Sequence, residues 1–223
     1  MTAAQFAKAA EEYGINLNAG QLKAFETFED RLYEANKTKN LTRVPRSECK
    51  TRHFLDSLSL SPLVPEGNSV VDLGSGAGFP GVPLAIARPD LRVTLLDAAE
   101  KEIRFLESLA DIVTVGLILQ RAEIAARMPE FRERYDVATA RALAPLAIQA
   151  EVSAAYVRVG GLFLPQRMEQ EETPEYTNLG LKLEERRLVE VQGAKRLIPV
   201  YRKSEPTPDR YPRTWAAIKK RSL

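Results

Sequence analysis

A chain of 223 residues that is 44% apolar and 28% charged can bury one sizeable core and is not a disordered polymer. Its 14 prolines and 12 glycines are ordinary usage, and one cysteine, Cys49, with one histidine, His53, excludes an internal disulfide and a thiolate–imidazole zinc site. No apolar run approaches the ~20 residues of a membrane span, and the amino terminus lacks the apolar centre of a signal peptide, so a cytoplasmic protein away from membranes is expected; no metal is expected, and a monomer is the default expectation.

The net charge is only +2, but its distribution is uneven. Residues 36–52 carry Lys37, Lys39, Arg43, Arg46, Lys50 and Arg52 against Glu48, a net of +5. Residues 195–223 carry nine cations, Arg213, Lys219, Lys220 and Arg221 among them, against Glu205 and Asp209, a net of +7. The remainder is then at −10. An acidic body with two basic stretches is the electrostatic footprint of a polyanion partner, although a solvated charged face explains either stretch alone.

In chain order, Leu22, Phe25, Phe28 and Leu32 recur at spacings of three and four, which predicts an amphipathic helix. Residues 36–46 break that period. A second short helix with Phe54, Leu55 and Leu58 on one side starts near Thr51 and runs to Pro62; Pro62, Pro65 and Gly67 then mark a boundary. Beyond it, strand candidates at 70–73, 93–96, 115–119, 137–140 and 162–164 alternate with helical stretches, which predicts a doubly wound, mostly parallel α/β sheet. Ligands of such sheets bind beyond the carboxyl ends of the strands. Two further strands, 188–191 and 197–200, suit a terminal β-hairpin. The expected organisation is an N-terminal helical extension, 1–66, followed by a catalytic domain, 67–223.

The sharpest local signal is VVDLGSGAGFPG, in which Gly74, Gly76 and Gly78 follow a strand at once. Glycines there permit positive φ and bring backbone N–H groups close to a ligand. Gly76, Gly78 and Gly81 also fit the dinucleotide spacing G-x-G-x-x-G, a weak match alone. S-adenosylmethionine is favoured over a nicotinamide cofactor on three grounds: the first glycine abuts the strand, Asp72 places a carboxylate inside it, and no hydride-transfer set is visible. Asp72 can orient the loop amides or meet the ammonium of an amino acid. Asp97, ending the second strand, suits the two ribose hydroxyls, or else caps the following helix. Arg121, Ala122 and Glu123 stand where adenine would lie, or form a plain surface turn.

NLT at 40–42, HFLDSL at 53–58, VVDLGSGAGFPG, TLLDAAEKEIRFL, TARALAPL at 139–146 and YPR at 211–213, taken together and in order, strongly resemble the RsmG (GidB) family. The resemblance implies a Rossmann-like class I methyltransferase that moves a methyl group from S-adenosylmethionine to N7 of guanine 527, in the 530 loop of 16S rRNA, with the rRNA or a small-subunit precursor as partner. It places Gly74, Phe79, Asp97, Ala98, Ala99, Ala122, Glu123 and Arg141 at the cofactor. Two departures stand out: Pro165, Gln166 and Arg167 replace a usual Lys-Gly pair, and the carboxyl-terminal signature, usually richer in Gly and Pro, reads YPRTWAAIKKRSL.

The chemistry agrees with that implication. Guanine N7 offers a free lone pair at neutral pH, so no catalytic acid or base is expected and alignment is the main requirement. Arg141, after the fourth strand, suits a phosphate or a carboxylate. His53 and Asp56 either form a lid, contact RNA, or brace the helical extension; Trp215 either stacks on a base or anchors packing. A non-catalytic adenosine-binding assembly module and a small-molecule methyltransferase are the competing classes; the basic stretches count against the second of these.

Overall fold

The computed structural model describes residues 1–221 and 223; only Ser222, within the unusual carboxyl-terminal stretch 214–222, lies outside the described residues. Helices α1 (Ala3–Glu11) and α2 (Ala19–Lys39) each begin with a reciprocal cap, Thr2 with Gln5 and Asn18 with Gln21, which satisfies two otherwise orphaned amides at each end. Helix α2 runs past the predicted break and stops at Asn40, whose left-handed backbone (φ 51°) turns the chain. A π-helical turn, Lys50–Leu55, then leads into α3 (Asp56–Leu58).

The remainder alternates as read from the sequence: β1 (Ser69–Leu73), α4 (Gly81–Ala87), β2 (Arg92–Asp97), α5 (Glu100–Glu107), β3 (Gly116–Leu119), α6 (Ala122–Ala125), β4 (Tyr135–Arg141), α7 (Leu146–Ala154) and β5 (Val157–Met168). The hairpin β6 (Leu181–Val191) and β7 (Ala194–Lys203) and the short α8 (Trp215–Lys220) complete it. One seven-stranded sheet has the order β3-β2-β1-β4-β5-β7-β6, parallel from β3 to β5 and antiparallel at β7 and β6. Strand order reverses between β1 and β4, where a ligand crevice opens at the strands' carboxyl ends.

The hairpin is longer than its apolar runs suggested. Lys182, Glu184, Glu185, Arg186 and Arg187 occupy β6, the sheet edge, where burial imposes no alternation. Gln192 and Gly193, both at positive φ (49° and 82°), make the tight turn that joins its strands.

Side chains of β1 alternate between two cores. Val70 joins a cluster with Phe6, Phe25, Phe28, Phe54, Phe79 and Phe105, while Val71 and Leu73 join Tyr156, Phe163 and Tyr201 on the opposite face. The first cluster unites the N-terminal helices with α4, α5 and the glycine loop, so Phe28 lies 5.3 Å, centroid to centroid, from Phe79 of that loop. Among the described residues no helix is long and apolar enough to cross a membrane.

Candidate functional site

The loop after β1 is shaped by its glycines. Gly74 has φ 66°, and a Cβ there would lie 2.3 Å from Leu143 Cδ1; Gly76 has φ 53° and open space where a Cβ would be. Its amide donates to Asp97 Oδ2 at 2.9 Å, and Ala99 N donates to Asp97 Oδ1 at 2.8 Å. Asp97 thus ties the first loop to the start of α5, serving the turn before that helix rather than capping it at its first residue. Each carboxylate oxygen accepts one amide and keeps a lone pair. A pair of ribose hydroxyls would fill both.

Asp72 has a different position. It is fully buried, its Oδ2 accepts from Gly81 N at 2.8 Å, and its Oδ1 has no partner. Burial pushes its pKa up to about 7, since desolvation disfavours the charged form. It thereby holds the first amide of α4, directly after the glycine loop.

Beyond the strand ends lies a cleft of about 560 Å³ lined by Gly74, Leu96, Asp97, Ala98, Arg121, Ala122, Glu123, Ala142, Leu143, Val152 and Trp215. A half-buried carboxylate beside a largely apolar wall fits a nucleoside, and the volume is that of a small-molecule site. Five expected cofactor residues, Gly74, Asp97, Ala98, Ala122 and Glu123, line it. Gly76 and Ala99 act through their amides on Asp97, and Gly78 packs against Val82 and Leu106. Phe79 is a core residue, 5% exposed. Expected at the cofactor, Phe79 packs its ring in the aromatic core and beneath His53 and does not line this cleft. Leu143, Val152 and Trp215 were not assigned to this cleft, because helix and loop residues far along the chain announce no shared wall.

Arg141 lines a second cleft, of about 540 Å³, which shares Ala142 with the first and also includes Arg52, His53, Asp56, Gln166, Arg167 and Arg196. Its guanidinium is 4.9 Å from the Phe79 centroid and donates to Asp56 Oδ2 at 3.1 Å, while Arg196 Nε donates to Asp56 Oδ1 at 2.6 Å. Gln166 Nε2 reaches the Asp56 carbonyl at 2.6 Å, and Arg167 reaches the Ala144 carbonyl at 3.0 Å and pairs with Glu171. The departure from Lys-Gly therefore keeps a cation at the cleft. Ala142, the shared wall, is left-handed at φ 54°, a conformation costly for any residue with a Cβ.

His53 is 7% exposed and lies flat on Phe79, ring centroids 4.1 Å apart. Arg141 Nη2 lies 3.1 Å from its Nδ1, and Thr42 Oγ1 lies 2.7 Å from its Nε2. A guanidinium can only donate, so Nδ1 accepts and Nε2 carries the proton. Asn36 pins this arrangement through both Thr42 backbone groups, at 2.9 and 3.0 Å, which gives the NLT segment its physical role. Both ring nitrogens are thus engaged with protein partners, the contacts of a brace, at the edge of the second cleft. Burial, then the Arg141 and Arg52 charges, push its pKa down to about 3. Unfolding restores a normal value, so between about pH 3 and 6.5 the unfolded chain binds the extra proton and stability falls with acid. The parent should lose up to roughly 1.4 kcal/mol per pH unit below pH 6.5 relative to His53→Gln. Denaturant melts of both proteins from pH 7 to 4 check this; parallel curves would contradict it.

Local and tertiary ion pairs neutralise much of the basic stretches. Lys37 pairs with Glu34, Arg46 with Glu29 and Asp30, Lys50 with Glu29 and Arg52 with Glu48. In the tail, Lys195, Arg196, Arg202, Lys203 and Arg213 pair with Glu169, Asp56, Glu184, Glu133 and Glu151. Among the described residues, Lys39, Arg43, Arg210, Lys219, Lys220 and Arg221 make no ion pair. Arg213, expected at RNA, is bound at 2.8 and 2.6 Å to the fully buried Glu151.

The model of the family described as rRNA small subunit methyltransferase G matches residues 21–196. The ribosomal RNA small subunit methyltransferase G of Lachnoclostridium phytofermentans is 39% identical over 222 residues, covering 93% of this chain and 92% of that protein. The protein of that name from Caldanaerobacter subterraneus is 37% identical, covering 96% and 95%. Among solved structures, a TehB-like SAM-dependent methyltransferase from Corynebacterium glutamicum superposes with a TM-score of 0.53 at 14% identity, covering 78% of this chain and 98% of that one; that likeness concerns the fold. With this sheet order, the glycine loop, Asp97 and these matches, the chain belongs to the rRNA small subunit methyltransferase G family, a family of S-adenosylmethionine-dependent enzymes.

Proposed function

We propose that the enzyme methylates N7 of a guanine in the 530 loop of 16S rRNA, working as a cytoplasmic monomer on the rRNA or a small-subunit precursor. The observation that carries this reading is the pair of clefts meeting at Ala142, one with the ribose-type carboxylate Asp97, the other with Arg52, Arg141, Arg167 and Arg196. In this reading Asp97 holds the ribose, the Gly74 and Ala98 backbone borders the chain of the cofactor, and Ala122 with Glu123 borders adenine. When bound, S-adenosylmethionine supplies an electrophilic methyl group. Guanine N7 takes it without losing a proton, so the residues need only hold two partners in line and exclude water. Arg141, fixed by Asp56 and Phe79, is the cation nearest the shared wall and would orient the base or its phosphate. No side chain is required as general base.

The test is methyl transfer to 16S rRNA from cells lacking this modification, with mass mapping of the modified nucleotide. Product at a 530-loop guanine and none on free guanosine is expected. Equal turnover of the free nucleoside, or modification elsewhere, would sink the reading.

The basic tail gives a second expected result. Lys219, Lys220 and Arg221 are exposed and make no ion pair among the described residues, so replacing all three by Ala should lower the slope of log K against log salt for RNA binding by about two to three, at roughly 0.7 to 0.9 per phosphate contact. Cofactor affinity should not change. Superimposable salt slopes for parent and variant would assign the tail a solvated role.

A further inference from the structure

We infer that Trp215 is a cofactor-binding residue: its indole forms the wall at the adenine end of the S-adenosylmethionine cleft, so the carboxyl-terminal segment completes that site. This rests on the cofactor reading of the cleft given above. Trp215 is the only tryptophan of the chain and is half-buried. It lines the same cleft as Asp97, Arg121, Ala122 and Glu123, and it lies at the Arg121 side, with that guanidinium 5.8 Å from its ring. Glu123, itself buried, holds Arg121 there through a 2.7 Å contact. Reading outward from Asp97 at the end of β2, the ribose acceptor is followed by the Arg121–Glu123 turn and then by the indole. An adenine ring attached to a ribose at Asp97 extends toward that aromatic surface, where ring faces attract beyond simple area burial.

The segment that presents Trp215 is anchored rather than loose. The Arg213 backbone N–H donates to Glu151 Oε1 at 2.9 Å, beside the two side-chain bonds to the same carboxylate. Arg127 Nη2 donates to the Pro212 carbonyl at 2.6 Å, and Arg132 Nη1 to the Tyr211 carbonyl at 3.0 Å. Ile218, one turn beyond Trp215, is fully buried. Glu151 lies on α7 next to Val152, which lines the cleft. A solvated tail would need none of these ties; together they fix the start of α8 against the strand ends.

Because no other indole is present, tryptophan fluorescence of the parent reports this position alone. Titration with S-adenosylhomocysteine should change the emission saturably, with the midpoint that calorimetry gives for binding. Trp215→Ala should weaken binding about 5- to 100-fold, the range for losing one aromatic–base stack, whereas Trp215→Phe should stay within a few-fold of the parent. Cooperative melting of each variant certifies its fold, and Asp97→Ala serves as the test of the cleft itself. If Asp97→Ala abolishes binding while Trp215→Ala binds like the parent and parent emission does not respond, the indole is not part of the site. If Asp97→Ala also binds like the parent, the cleft assignment fails and the inference with it. Emission that responds to rRNA but not to S-adenosylhomocysteine would overturn it in favour of an RNA-stacking role.

Discussion

Asp56→Ala should destabilise the protein by about 3–5 kcal/mol, the cost of removing one partner from a buried charge pair. The Asp56 side chain is 5% exposed and divides its two oxygens between Arg141 and Arg196, which are 19% and 22% exposed. Deleting the carboxylate leaves two guanidiniums facing each other in a poorly hydrated place, one of them resting on Phe79. Asp56→Asn keeps the shape and one acceptor and should cost less. Guanidinium unfolding with an unchanged m-value reads the difference. A loss below about 1 kcal/mol, the worth of an exposed pair, would show that water already screens this cluster. The cleft that Asp97 lines does not include Asp56, so S-adenosylhomocysteine affinity of the folded variant should remain close to that of the parent.

Asp97→Ala should weaken S-adenosylmethionine binding by tenfold or more, with each hydrogen bond to the carboxylate worth ~1.5–3 kcal/mol. Two effects add. The ribose hydroxyls lose their acceptors, and the Gly76 and Ala99 amides lose theirs, which loosens the loop the cofactor approaches. Asp97→Asn separates them, because one carbonyl oxygen can still serve one amide. Calorimetry on both variants is the measurement. An unchanged dissociation constant in a cooperatively melting Asp97→Ala protein would remove Asp97 from the ribose site.

Local order was legible because it is written in short-range patterns. The five parallel strands announce themselves as apolar runs, and the glycine loop is marked by residues whose positive φ values, 66°, 53° and 95° at Gly74, Gly76 and Gly78, other residues adopt poorly. Asp97 was legible for the same reason, standing directly at a strand end. The edge strand β6 was not, since its charged residues face water on both sides and leave no period to read.

By itself the sequence determined the sheet, the family-bearing motifs and the acid that ends β2, all set by interactions between near neighbours along the chain. Only the tertiary structure decided what the charges and rings do. Glu29 and Asp30 of α2 neutralise part of a stretch that counts as +5 in isolation, and Glu151 pairs with Arg213. His53 and Phe79, 26 positions apart, become one stack beneath Arg141. The reason is physical: Coulomb and packing energies depend on distance in space, and burial multiplies both. A charge is therefore free or spent only once the fold has brought its partner, and in the same way only the fold sets Trp215 in the cleft that Asp97 lines.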